Sequence, residues 1–196
     1  QTDVKVGETI FTVKTIDGEK TANCEINVLP RAVESVGLDP SNIELRIGEE
    51  MVITATVLPA NATNKNIIWA SSNPAVAEVV EGKVSAINAG TTVVTASTED
   101  GSITASCKVT VHPWAVESVN LDKAEVEIYE GEEYMLTATV IPANATNKNI
   151  SWISSNENVA TVIDGKVTAL NAGQATITVV TEDGGKTAAC QNLYRN

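Results

Sequence analysis

Apolar and polar residues alternate along this chain in short runs, punctuated by glycine, asparagine, aspartate and proline. The clearest run is 51–58, where Ile53, Ala55 and Val57 take one face and Thr54 and Thr56 the other; Leu136, Ala138 and Val140 repeat the pattern further on. A period of two over so few residues marks a half-buried strand. Read this way, strands are predicted at 33–38, 43–47, 51–58, 66–71, 76–80, 83–87, 91–98 and 103–111. The turns Ile47-Gly48-Glu49, Glu81-Gly82-Lys83, Asn88-Ala89-Gly90 and Glu99-Asp100-Gly101 put glycine where a positive φ is expected. No segment carries a convincing helical period.

The pattern recurs as a whole. Ala32–Cys107 laid on Ala115–Cys190 at a constant offset of 83 gives 46 identities in 76 positions without a gap. Pro59-Ala-Asn-Ala-Thr-Asn-Lys-Asn-Ile67 returns unchanged as Pro142 to Ile150. The same offset carries Cys24 onto Cys107 and Pro30 onto Pro113. A period of 83 exceeds the roughly 20–50 residues of a solenoid repeat and suits a small independent domain. The division expected is therefore 1–30, the last two strands of a preceding repeat that cannot close a core alone, then 31–113, then 114–196. After Cys190 the pattern departs: Gln-Asn-Leu-Tyr-Arg-Asn replaces Lys-Val-Thr-Val, so an altered or frayed last strand is expected. Short strands with turn signals between them imply an all-β chain of tandem antiparallel sandwiches.

Valine (25) and threonine (23) make up about a quarter of the 196 residues, which fits strands. Net charge is −12, so phosphate backbones and anionic membranes would be repelled, which argues against a nucleic-acid partner. No stretch approaches the roughly 18 apolar residues of a membrane helix, so no membrane insertion by this segment is expected, and the start lacks the pattern of a signal peptide. A hydrophobic content of 43% supports a packed core.

Val33-Glu-Ser-Val36, Leu38-Asp39, Gly48-Glu49, Thr54-Ala-Thr-Val57, Pro59 to Asn66, Trp69, Ser71-Ser-Asn73, Val76-Ala77, Gly82-Lys83-Val84, Ala89-Gly90 and Asp100-Gly101, with their counterparts from Val116 to Gly184, resemble the bacterial immunoglobulin-like domain of group 2 (BIG2). The resemblance covers nearly the whole chain. It implies an immunoglobulin-like β-sandwich strung in tandem in bacterial and phage surface proteins, including intimin-like and invasin-like adhesins, and it does not imply an enzyme. Trp69 and Trp152 fall at matching places in the fourth strand, where a large ring is expected to fill the middle of the sandwich.

Candidate chemistry is sparse. Cys24, Cys107 and Cys190 recur once per repeat, which excludes a disulfide within a unit. Two readings stand: a buried thiol acting as a small hydrophobe, and intermolecular bonding, with Cys190 favoured for the latter. His112, the one histidine, lies at a junction, where no Ser/His/Asp or Cys/His set can be assembled around it, so no catalytic or cofactor-binding residue is assigned. Paired carboxylates occur in turns as Glu49-Glu50, Glu99-Asp100, Glu132-Glu133 and Glu182-Asp183. They read as solvated turn residues or as weak calcium candidates, since calcium takes six to eight oxygens, though no DxDxDG loop is present. The word Pro59 to Asn66 reads as a structural loop or a ligand loop. Asn61-Ala-Thr63, Asn144-Ala-Thr146 and Asn149-Ile-Ser151 match the glycosylation sequon, unmodified if the source is bacterial. The junction Val111-His-Pro-Trp114 is too short for a flexible coil, which makes Pro113 and Trp114 the expected interdomain joint of a semi-rigid rod.

The function expected is a non-catalytic extracellular spacer of a bacterial surface or secreted protein. Its partners would be neighbouring immunoglobulin-like domains of the parent chain. The alternatives are direct adhesion to a host-surface protein or glycan, and decoration of a phage virion.

Overall fold

The computed structural model describes residues 7–17, 20–99 and 102–195. The chain divides into two compact units, with the boundary between Val111 and His112. Strands β1 (Gly7–Lys14) and β2 (Thr21–Val28) form an antiparallel hairpin. The rest of the first unit is built from β3 (Ser35–Asp39), β4 (Asn42–Arg46), β5 (Glu50–Val52), β6 (Thr54–Leu58), β7 (Ile67–Ser71), β8 (Ala77–Val80), β9 (Lys83–Ala86), β10 (Gly90–Thr98) and β11 (Thr104–His112). The second unit repeats the order with β12 (Ser118–Leu121), β13 (Glu125–Tyr129), β14 (Glu133–Met135), β15 (Ala138–Ile141), β16 (Ile150–Ser154), β17 (Ala160–Ile163), β18 (Lys166–Ala169), β19 (Gly173–Thr181) and β20 (Thr187–Arg195).

In each unit one sheet of four strands, β4-β11-β10-β7 or β13-β20-β19-β16, faces a layer made of a two-stranded and a three-stranded sheet, β3-β6 with β5-β9-β8 or β12-β15 with β14-β18-β17. This is the two-layer immunoglobulin arrangement in which the first strand is split between layers. Its first half pairs antiparallel in one layer, as β12 does with β15; its second half pairs in the other, where β13 runs parallel to β20. That parallel pair is a departure from the all-antiparallel expectation. The third predicted strand, 51–58, is also two elements, interrupted at Ile53, whose amide turns to the carbonyl of Gly82 (2.8 Å). Its alternation is kept: Ile53 is buried, and Ala55 and Val57 are half-buried on the same side.

Two separate apolar cores result. Ile43, Leu45, Ile53, Val84, Val94, Cys107 and Val109 fill the first; Ile128, Leu136, Val167, Ile177 and Cys190 fill the second. The tryptophans do not fill the middle. Trp69 and Trp152 lie half-buried on the edge strands β7 and β16 and pack against the core from its rim. Aliphatic side chains and Cys107 or Cys190 close the middle, and the indole rings pack beside Gly82 and Gly165. A Cβ on Gly82 would lie 3.2 Å from the Trp69 ring and 2.5 Å from the Ile53 carbonyl, and Gly165 stands in the same relation to Trp152 and Leu136.

The last strand, expected to be altered or frayed, runs Thr187–Arg195 and keeps its backbone pairing on both sides, from Gly173↔Tyr194 to Val180↔Thr187 on β19 and from Glu125↔Gln191 to Tyr129↔Arg195 on β13. Main-chain bonding tolerates the change of side chains.

The β1–β2 hairpin is exposed along almost its whole length. One of its faces carries Thr9, Phe11, Val13, Cys24 and Ile26, paired as Thr9↔Ile26 and Phe11↔Cys24. At the offset of 83 these map onto Thr92, Val94, Ala96, Cys107 and Val109, all buried in the first unit. Phe11 is 58% exposed where Val94 is 0%. Cys24 is accordingly an exposed thiol, not a buried one, because no second layer covers it among the described residues.

Candidate functional site

The invariant word of the two repeats has a local physical account. Leu58 or Ile141 ends a strand, and Pro59 and Pro142, which have no N–H, cannot continue a ladder. A turn closes with Ala62 N on Pro59 O (2.9 Å) and buries the Ala62 methyl; Ala145 does the same on Pro142. Asn64 Oδ1 then accepts from Asn66 N (2.9 Å) and Lys65 Nζ donates to Ala60 O (3.1 Å), so the loop satisfies its own backbone.

Its remaining polar groups reach outward to two other segments. Thr63 Oγ1 accepts from Arg31 N (2.8 Å) while Thr63 N donates to Arg31 O (2.9 Å). In the second unit Thr146 holds Trp114 by the same reciprocal pair, both at 2.8 Å. On the other side the amides of Asn64 (2.5 Å) and Asn66 (3.2 Å) converge on Glu99 Oε2, and those of Asn147 (3.2 Å) and Asn149 (2.8 Å) on Glu182 Oε2. These bonds hold both carboxyls below the ordinary value of 4.5, the Asn64 bond contributing most to Glu99 and the Asn149 bond most to Glu182. Asp183 Oδ2 accepts from Val116 N (2.8 Å), tying the same turn to the lead-in segment. The loop is therefore a clamp. It fastens the residues that lead into each sandwich to the turn between its last two strands. In the first unit a shallow depression of about 180 Å³ lies there, lined by Arg31, Val33, Thr63, Asn64 and Glu99 among others.

The other carboxylate candidates are dispersed and engaged. Glu49 Oε2 accepts from Arg46 N (2.7 Å), and Glu132 Oε2 from Tyr129 N (3.0 Å), each inside its own turn. Glu50 pairs with Lys83 (2.7 Å) and Ser85 (3.0 Å), which lowers its pKa, with the Lys83 bond first; Glu133 pairs with Lys166 (2.8 Å). Asp100 lies outside the described residues. Among those described, no group of three or more His, Cys, Asp or Glu residues could hold a metal. Cys107 and Cys190 have no solvent exposure, and burial raises both thiols; Asp122 and Glu125 add to the effect at Cys190. Cys190 thus stands inside a paired strand, away from the solvent that intermolecular bonding needs. His112 is exposed at the end of β11. No buried side-chain nitrogen or oxygen among the described residues lacks a hydrogen-bond partner.

Sequence reasoning found the loop but not what it grips. The signal was present in part: Thr63, Asn64, Asn66 and Glu99 all recur at the offset of 83. Arg31 and Trp114 could not be read as partners because their part in the clamp is played by main-chain N–H and C=O groups, which any residue type supplies.

Two layers joined by a split first strand, twice over, define tandem immunoglobulin-like β-sandwich domains. The chain belongs to the bacterial Ig-like domain (group 2) family, whose profile matches residues 32–109 and 115–191. An Ig-like virion protein of Serratia phage KSP90 is 35% identical over 164 residues, covering 81% of this chain and 64% of that protein. An uncharacterized protein of Clostridium acetobutylicum is 34% identical over 163 residues, covering 82% of this chain and 17% of that one. An alpha-L-arabinofuranosidase of Bifidobacterium longum is 34% identical over 146 residues, covering 70% and 13%. The chain spans less than two thirds of the length of each of these relatives.

Proposed function

We propose that this chain is a non-catalytic spacer of an extracellular surface, secreted or virion protein, whose units set another part of the parent at a distance. The observation that carries this is the shortness of the joint. Val111 is the last residue paired to β10, and Trp114 N is already bonded to Thr146 Oγ1, which leaves His112 and Pro113 between them. Pro113 adds a fixed φ. The same arrangement recurs one repeat earlier, where Val28 is paired and Arg31 is clamped, with Leu29 and Pro30 between. In this reading Pro113 and Trp114 are the interdomain joint, residues 31–113 and 114–196 are the repeats, and residues 1–30 close a preceding one.

A virion setting is a second reading, favoured by the Serratia phage relative, and it leaves the role of the units unchanged. The similar segment makes up only 13% of the arabinofuranosidase, which fits an accessory part of a larger protein. Small-angle scattering of the 196-residue chain tests the proposal. An extended particle with a narrow distribution of dimensions is expected, and a folded-back one overturns it. A cell and glycan array binding screen of the same fragment separates spacer from adhesin: specific binding would transfer the function to the adhesive alternative.

A further inference from the structure

We infer that the second unit is built to carry traction along the chain, with the β13–β20 ladder as its load-bearing element. The inference goes beyond the spacer role and needs only the ladder. β13 and β20 lie near the two ends of the second unit's chain and are parallel, in register from Glu125↔Gln191 to Tyr129↔Arg195. In a parallel pair the chain enters one strand and leaves the other at opposite ends. Pulling on the two termini therefore slides β13 past β20, and the interstrand bonds are loaded together. Had the two strands been antiparallel, both ends would leave from the same side, and the bonds would open one after another.

The bonding faces follow from one contact. Gln191 N donates to Ala124 O (2.9 Å) just ahead of the ladder. Facing residues alternate along a parallel strand, so Val126 and Ile128 present their N–H and C=O groups to β20, and Glu125 and Glu127 present theirs away. The lead-in is fastened too: Trp114 to Thr146, Val116 to Asp183, and β12 along β15. The first unit carries the matching contact, Lys108 N to Ser41 O (3.1 Å), with β4 beside β11.

Single-molecule stretching of the 196-residue chain tests this in two geometries, in a Cys24→Ser background so that handles attach only where intended. With handles at the two ends, two unfolding events are expected, one per sandwich. With the second handle moved to Lys186→Cys, the turn it occupies is on the lead-in side of the sandwich, as the Val116 N to Asp183 contact places it. The load then bypasses the sliding of β13 on β20. The second unit's event, identified by its shorter released length, is expected at well under half its end-to-end force. Equal forces in the two geometries overturn the inference.

Two variants pulled end to end add a residue-level readout. Val126→Pro removes a ladder N–H and is expected to lose roughly half of the second unit's peak force. Ile128→Ala removes core methyls, keeps the ladder, and is expected to retain most of that force. Equal loss in both variants overturns the inference. If Val126→Pro gives no second event, the comparison of handle positions decides alone.

Discussion

At the residue scale one hydroxyl per unit fastens the lead-in segment to the clamp. Thr146 Oγ1 is the acceptor for Trp114 N, so Thr146→Val keeps the volume and removes the bond; the expected cost is about 0.5–1.5 kcal/mol in urea unfolding, with Thr146→Ser close to the parent. Glu182 gives the clamp a pH dependence. Its pKa is lowered in the folded protein, so its contribution is complete above the unfolded value and is lost as pH falls through the folded one. Glu182→Gln should therefore flatten the fall in Tm on acidification below the ordinary carboxylate value of 4.5. Added calcium, against chelator, should leave Tm unchanged, because Glu49, Glu50, Glu132 and Glu133 are each taken by a donor of their own turn or strand pair. Thiols separate by burial. In native protein Cys24 should react with a thiol reagent at once, and Cys107 and Cys190 only after denaturant is added.

At the element scale the strands were legible because each buries one face, and burial writes a period of two into the sequence. Residues 51–58 show both the reach and the end of that signal. Their alternation is right, but the interruption at Ile53 is imposed by Gly82, 29 positions away, and no local pattern carries it. The split of the first strand between layers is invisible for the same reason: 33–38 and 43–47 read as two strands, and nothing local says that they belong to different sheets. Glu81 and Gly82 both have positive φ, 50° and 83°, which makes the β8–β9 link a two-residue turn of the primed type that strand twist favours. Here the sequence marked the glycine correctly, and packing adds a second demand on it. Gly82→Ala would combine left-handed strain with overlap at the Ile53 carbonyl, and about 2–4 kcal/mol of destabilisation is expected. Trp69, a rim residue, should cost less than a ring buried in the centre. For Trp69→Ala about 2–3 kcal/mol is expected, at or below the low end of the range for large-to-small changes in a core.

At the scale of the whole molecule, the repeat made two of everything: two cores, two clamps, two glycine-backed tryptophans. The 25 acidic residues against 13 basic ones looked like a clue to partners, yet every described member of the paired-turn carboxylates has a structural donor. The cores share no residue: one draws on residues 38 to 111 and the other on 121 to 190. Each should then melt as its own cooperative unit, with a transition set by its own contacts. Gly165→Ala, the counterpart of Gly82→Ala, should lower one calorimetric transition and leave the other where it is in the parent chain. A single transition that moves as a whole would mean that the two units fold as one, and the reading of independent repeats would have to be given up.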